Sequence, residues 1–198
     1  MRPTYTKSRS ENSMPRRGDV HEEPGVGTVE SFPLKAEESE LISLIDEIFL
    51  YWKEISFGPI IQGAAYEIRA PQRPITSVLD GYLTLDFGKW HIHLCVGETK
   101  GEPGFPTDPA VAEIRRCSKV ELYRLVREEG PVSWGCRMFN GLGEQMLTVL
   151  LPNPFLDGKS TTDKPDWRCL DLWNHLRLKF LGIQPDDFDQ KSAGFIHG

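Results

Sequence analysis

His91, His93 and Cys95 alternate with Ile92, Leu94 and Val96 in the segment K-W-H-I-H-L-C-V-G-E, residues 89–98. Polar and apolar residues that alternate with a period of two predict a strand whose faces differ. The segment Y-L-T-L-D-F, residues 82–87, alternates in the same way, and Phe87-Gly88-Lys89 reads as the turn that joins the two as a hairpin. One face then carries Leu83, Leu85, Phe87, Trp90, Ile92, Leu94 and Val96. The other gathers Tyr82, Thr84, Asp86, His91, His93 and Cys95. Residues two apart on a strand stand about 6.5–7 Å apart at Cα, so two imidazoles there can converge on one metal ion or one phosphate. Asp86 is placed to orient a ring nitrogen, and Glu98, five residues beyond His93, to serve as a third ligand. A set of imidazoles and a carboxylate suits Fe, Zn, Mn or Ni. The same residues support metal-free chemistry, with Asp86 and His91 as a general-base dyad beside His93. They also read as a plain solvated sheet face, or as a dimer surface.

The stretch from His91 to Glu98, with H-x-H followed by four residues and a glutamate, resembles the first half of the cupin metal motif. That resemblance implies His91, His93 and Glu98 as ligands. Cupins add another histidine on a later strand, whereas the later histidines here are His175, in a predicted helix, and His197, near the end of the chain. The segment His91–Cys95 also resembles the H-x-H-x-H strand of histidine-triad hydrolases, with Cys95 at the third position, which implies His93 as nucleophile toward a nucleotide phosphate. It is similar, too, to the H-x-H strand of rolling-circle replication nucleases, whose Tyr-x-x-Lys helix this chain lacks.

Two further groups of residues carry chemistry. Arg137 lies in an otherwise apolar strand, where a guanidinium needs an acid or a bound anion. Glu121 or Glu144 is the structural partner expected from cross-strand pairing. The functional alternative makes Arg137, with Tyr82, a substrate-binding residue that clamps a carboxylate or phosphate. Cys117 follows Arg115 and Arg116, a setting that favours a thiolate. The four cysteines include no C-x-x-C pair, which argues against a zinc knuckle and for buried free thiols.

The elements that must position these residues follow from periodicity. Leu41, Ile45, Ile48, Trp52 and Ile55 recur at helical spacing and predict a helix over 36–55 that ends at Gly58-Pro59. A short helix over 107–115 has Pro109 near its start. Strands are predicted over 120–126, 133–139 and 144–151, with Gly130-Pro131 and Asn140-Gly141-Leu142-Gly143 as turns. A last helix over 166–181 follows Pro165, precedes Gly182, and carries Trp167, Leu170, Trp173, Leu176 and Phe180 as its apolar stripe. In that helix His175 sits four residues after Asp171, the spacing of a surface pair. Strands joined by short turns pair antiparallel. The fold class is therefore α+β: an antiparallel sheet of about five strands with two main helices packed on one face. Residues 1–34 have few large apolar side chains and read as a disordered tail, 35–183 as a single domain, and 184–198 as a loose end.

A chain of 198 residues with net charge −6 holds one domain and lacks the basic surface that binds nucleic acid. No stretch approaches about 18 consecutive apolar residues, so no membrane span is expected, and a cytoplasmic location follows from the lack of a secretory signal. The reading with the sharpest chemistry is an enzyme acting on a small molecule, with His91, His93 and Asp86 as catalytic residues and a transition metal held by His91, His93 and Glu98. The alternatives are a non-catalytic small-molecule or haem-binding accessory protein that uses the same face, and an interaction module without an active site.

Overall fold

The computed structural model describes residues 18–61, 63–158, 160–162, 164–192 and 194. In chain order they form strands β1 (Asp19–Glu23) and β2 (Gly27–Leu34), helix α1 (Glu38–Ile48), and strand β3 (Ser56–Gly58). A two-residue ladder pairs β4 (Ile60–Ile61) with β5 (Ala64–Ala65). Strands β6 (Ile75–Leu79), β7 (Tyr82–Asp86) and β8 (His91–Cys95) follow, then a second small ladder of β9 (Gly101–Glu102) with β10 (Phe105–Pro106). Helix α2 (Pro109–Arg115) leads into the long strands β11 (Lys119–Arg127), β12 (Gly130–Phe139) and β13 (Gln145–Leu150). A third ladder, β14 (Leu156–Asp157) with β15 (Ser160–Thr161), precedes helix α3 (Asp171–Leu181). No helix among the described residues is long and apolar enough to cross a membrane.

The fold is α+β, built on a six-stranded antiparallel sheet in the order β1-β2-β11-β12-β13-β3. On its inner face Phe32, Val120, Leu122, Trp134, Cys136, Met138, Leu147 and Val149 meet Leu41, Leu44, Ile45 and Ile48 of α1 and Leu172, Trp173 and Leu176 of α3. The two helices are joined at the surface by Glu47, which accepts from His175 Nε2 at 2.7 Å and from Lys179 Nζ at 2.5 Å. His175 thus pairs across helices rather than with Asp171. Helix α1 stops at Ile48 rather than running to 55, because a 3-10 turn over Phe49–Tyr51 tightens its end and carries Phe49 and Ile55 into the core.

The His-bearing hairpin is not part of the large sheet. Strands β6, β7 and β8 form a separate three-stranded antiparallel sheet whose inner side adds Leu83, Leu85 and Leu94 to the common core. Alternation had fixed the faces of the hairpin but not its neighbours, and the place expected for it in one five-stranded sheet is taken by β1, β2 and β3.

Two segments expected to be unstructured are ordered, and charge explains both. Residues 19–34 form β1 and β2, with Val29 and Phe32 buried. The acids that make this stretch look like a tail have cationic partners far along the chain. Glu30 accepts from Arg124 Nε at 2.8 Å, and Glu23 accepts from Arg137 Nη1 at 2.9 Å and also pairs with Nη2. The remainder of the expected tail, 1–17, lies outside the described residues. At the other end, the segment after Gly182 folds back as a strap with a 3-10 turn over Asp187–Gln190. Asp189, 1% exposed, accepts hydrogen bonds from Arg124 Nη1 (2.7 Å), Trp134 Nε1 (2.7 Å), Trp173 Nε1 (2.9 Å) and Arg177 Nη1 (2.8 Å). Asp186 adds bonds to Arg177 and Arg124 and caps the turn through the N–H groups of Phe188 and Asp189. Residues 193 and 195–198 of the expected loose end lie outside the described residues.

The Glu23–Arg137 pair makes a pH prediction. The hydrogen bond from Arg137 holds the Glu23 carboxyl at about 2, below its ordinary 4.5, against the opposing effect of burial. A carboxyl depressed in the folded state adds stability above its ordinary value and loses it as the pH falls toward 2. Glu23→Gln should therefore make urea stability less steep over that acid range than in the parent. Parallel acid limbs in the two proteins would contradict this role.

Candidate functional site

The hairpin sheet presents one face to solvent, and its register orders that face into three rows. Ile75, Asp86 and His91 lie side by side across the strands, then Ser77, Thr84 and His93, then Leu79, Tyr82 and Cys95. Directly opposed residues on neighbouring strands point the same way, so all nine share one side. The two imidazoles are exposed and their ring centres stand 4.6 Å apart at an interplanar angle of 60°. On the far edge strand β6, across β7 from the imidazoles, Ile75 is 71% and Leu79 80% exposed, an uncommon placement for two large aliphatic side chains on one small sheet.

His93 Nδ1 lies 2.8 Å from Thr84 Oγ1, its direct cross-strand partner. In the tautomer with the proton on Nδ1, the ring donates to Thr84 and Nε2 keeps its lone pair free to coordinate. The orienting residue is thus Thr84, on the face that the alternation identified, rather than Asp86. Asp86 stands opposite His91, but its Oδ1 accepts the Gly88 N–H at 2.7 Å and so serves the hairpin turn. An acid two residues before a turn glycine takes up this role readily, because the bond closes a local ring. No hydrogen bond joins Asp86 to His91 among the described residues, and the dyad expected from sequence is not assembled.

The expected metal trio is not assembled either. Glu98 lies past the end of β8 and lines a cavity with Ala36, Thr99, Lys100 and Arg116. Among the described residues no group of three His, Cys, Asp or Glu side chains could hold a metal ion together. Cys95, in the third row, is buried, and desolvation pushes its thiol above the ordinary range. Its Sγ is directed to Gly97 O at 3.8 Å. Cys117 is no thiolate: burial pushes its thiol up to about 11, outweighing the nearby Arg116. Tyr82 remains on the histidine face, half-buried beside Leu79.

Arg137 sits on the opposite side of the large sheet from the helices. Its Nε donates to Glu121 Oε1 at 2.6 Å, its Nη groups bond Glu23, and its guanidinium stacks 4.7 Å over the Tyr123 ring. The Tyr123 ring in turn lies across Gly135, where a Cβ would come within 2.5 Å of it. Two carboxylates and an aromatic face satisfy this arginine, as the cross-strand ion pair with Glu121 requires, and leave it no free fork for a substrate anion.

The model of a Family of unknown function (DUF7676) matches residues 18–182. No curated protein matches the chain. Among solved structures, the chain is similar to one titled "Crystal structure of ChuX", at 13% identity and a TM-score of 0.42, over 75% of this chain and 74% of that one.

Proposed function

The chain belongs to that family of unknown function, and we propose that it is a non-catalytic binding protein whose exposed hairpin face takes haem. The observation that carries this reading is the composition of the face: one imidazole oriented by Thr84, exposed Ile75 and Leu79 on the same face across β7, and, among the described residues, no group of three metal-binding side chains. A bare zinc ion asks a protein for three or four donors. Haem iron arrives with four equatorial nitrogens and asks for one axial imidazole and an apolar surface for the macrocycle. Two histidines on one face with aliphatic neighbours meet the second demand and not the first.

His93 would hold the haem iron in this reading, because its Nδ1 bond to Thr84 leaves Nε2 free and fixes the ring. His91 stands on the same side, 4.6 Å away between ring centres, and would line the same ligand as a neighbour of His93. Ile75 and Leu79 supply the apolar surface, and their burial by the ligand contributes about 25 cal/mol per Å².

Titration of the purified full chain with haemin, followed by the Soret band, tests the proposal. The parent is expected to bind one equivalent. His93→Ala should lose the shifted band, and His91→Ala should keep it. Thr84→Val should weaken affinity by about tenfold, the usual cost of removing a bond that orients a ligand. A His93→Ala titration that superimposes on the parent's would refute the assignment.

A further inference from the structure

The cavity that Glu98 lines, of about 730 Å³, opens where the hairpin sheet meets the large one. Its walls come from Ala36 ahead of α1; Glu98, Thr99 and Lys100 beyond β8; Thr107 ahead of α2 with Pro109, Ala112, Glu113 and Arg116 along it; and Cys117 and Ser118 ahead of β11. Each wall is pinned by hydrogen bonds. The Asp80 carboxylate accepts the N–H groups of Lys100 (2.7 Å) and Gly101 (2.9 Å), and Asp108 caps α2 through Ala110 (2.8 Å) and Val111 (3.3 Å). Cys117 N–H donates to Cys95 O at 2.8 Å, and Ser118 N–H to Phe139 O at 2.9 Å.

Three observations mark this cavity as more than a gap in packing. First, α2 buries none of its residues, so the core does not explain why it is held there. What it does offer is one face, Pro109, Ala112 and Glu113, with Arg116 at its C-cap, all lining the cavity. Second, the lining holds two cations, Lys100 and Arg116, and two anions, Glu98 and Glu113. Among the described residues none of the four takes part in an ion pair, with each other or with anything else. Third, Thr99 is buried in the wall and, among the described residues, its hydroxyl has no hydrogen-bond partner, whereas buried hydroxyls are nearly always satisfied.

We infer that this cavity is a binding site for a small zwitterion, a free amino acid or short peptide that carries both an ammonium and a carboxylate. All four charged groups are exposed, and a ligand that enters the cavity meets both signs. A phosphorylated or other polyanionic ligand meets Lys100 and Arg116 but is repelled by Glu98 and Glu113; a polyamine meets the reverse. A molecule with one group of each sign pairs with both sets and leaves Thr99 and Thr107 for its amide or its own polar side chain. A volume of about 730 Å³ lies in the range of small-molecule pockets and takes a dipeptide with room to spare. The hairpin face and this cavity draw on different side chains, so each stands without the other.

Calorimetry on the full chain tests the inference, with dialanine as probe beside its N-acetyl and C-amide forms and the twenty free amino acids. Dialanine or at least one free amino acid is expected to bind. Blocking either charged end of the binder should weaken it at least about tenfold, since each end makes a charge-assisted bond. Glu113→Gln and Arg116→Gln, both at exposed positions, should each weaken it comparably while leaving thermal stability unchanged. Ala112→Leu, which narrows the cavity, should weaken binding. His91→Ala/His93→Ala should bind as the parent does, which separates failure here from failure of the haem reading. Absence of heat from every probe up to about 10 mM, a concentration worth only a few kcal/mol of affinity, would overturn the inference. Equal binding of free and blocked forms would do the same.

Discussion

Asp189→Asn is expected to destabilise the protein by about 3–5 kcal/mol. Asp189 is buried and gathers four donors from three parts of the chain: Arg124 on β11, Trp134 on β12, and Trp173 and Arg177 on α3. Asparagine keeps the shape but removes the charge, and presents an NH2 group where the pocket already consists of donors. Two buried guanidiniums then keep only Glu30 and Asp186 as acids, in a place where an uncompensated charge is costly. The strap loses its anchor, and the Trp134 and Trp173 indoles lose a bond each. For a chain of this size the loss corresponds to a fall in Tm of about 10 °C. Urea unfolding followed by tryptophan fluorescence reads both the stability and the change around the indoles. Asp187→Asn, at an exposed position two residues earlier, serves as control and should stay within about 0.5 kcal/mol of the parent. A loss below about 1 kcal/mol in Asp189→Asn would show that the carboxylate does not hold the strap.

Arg137→Met is expected to cost about 2–4 kcal/mol and to leave haemin binding intact. Removing the guanidinium strands the buried Glu121 with Lys119 alone, whose Nζ lies 2.9 Å from Glu121 Oε2 and is largely in solvent. It also strips Tyr123 of the cation stacked on its ring. If the cost comes from the stranded carboxylate, Glu121→Met/Arg137→Met should recover most of it, since a well-packed apolar pair replaces a buried ion pair at little cost. A double variant no more stable than Arg137→Met would place the loss elsewhere. Haemin affinity that fell in step with Arg137→Met would instead return this arginine to the ligand site.

Much of the fold was legible because it rests on local period. The two faces of the 82–95 hairpin, the three long strands and the stop of α3 at Gly182, whose φ of 68° suits glycine, follow from residues a few positions apart. What was not legible depends on partners far away. Glu30 looks like part of an acidic tail until Arg124, 94 residues later, is beside it. Asp189 looks like one of three acids in a loose end until four donors from elsewhere surround it. Neither pairing leaves a periodic trace, so both ends of the chain read as disorder.

The candidate site was half legible for the same reason. Alternation brought Tyr82, Thr84, Asp86, His91 and His93 to one face, and the structure keeps them there. Alternation does not say which polar neighbour a histidine chooses. Asp86 was drawn into the turn by Gly88, two residues away, and Thr84, directly across from His93, took the orienting place. The third strand of the sheet also escaped notice, and with it Ile75 and Leu79. The run I-T-S-V-L that carries them alternates too weakly to stand out, because as an edge strand it is exposed on both sides.

The most direct test of the haem assignment is where the ligand sits. A diamagnetic porphyrin, zinc protoporphyrin, titrated into isotopically labelled full chain and followed by NMR, maps the contact residue by residue. Ring-current shifts are expected on the face that holds Ile75, Ser77, Leu79, Tyr82, Thr84, Asp86, His91 and His93, with the His93 imidazole moving most. Shifts centred on another surface, or none at saturating porphyrin, would contradict it.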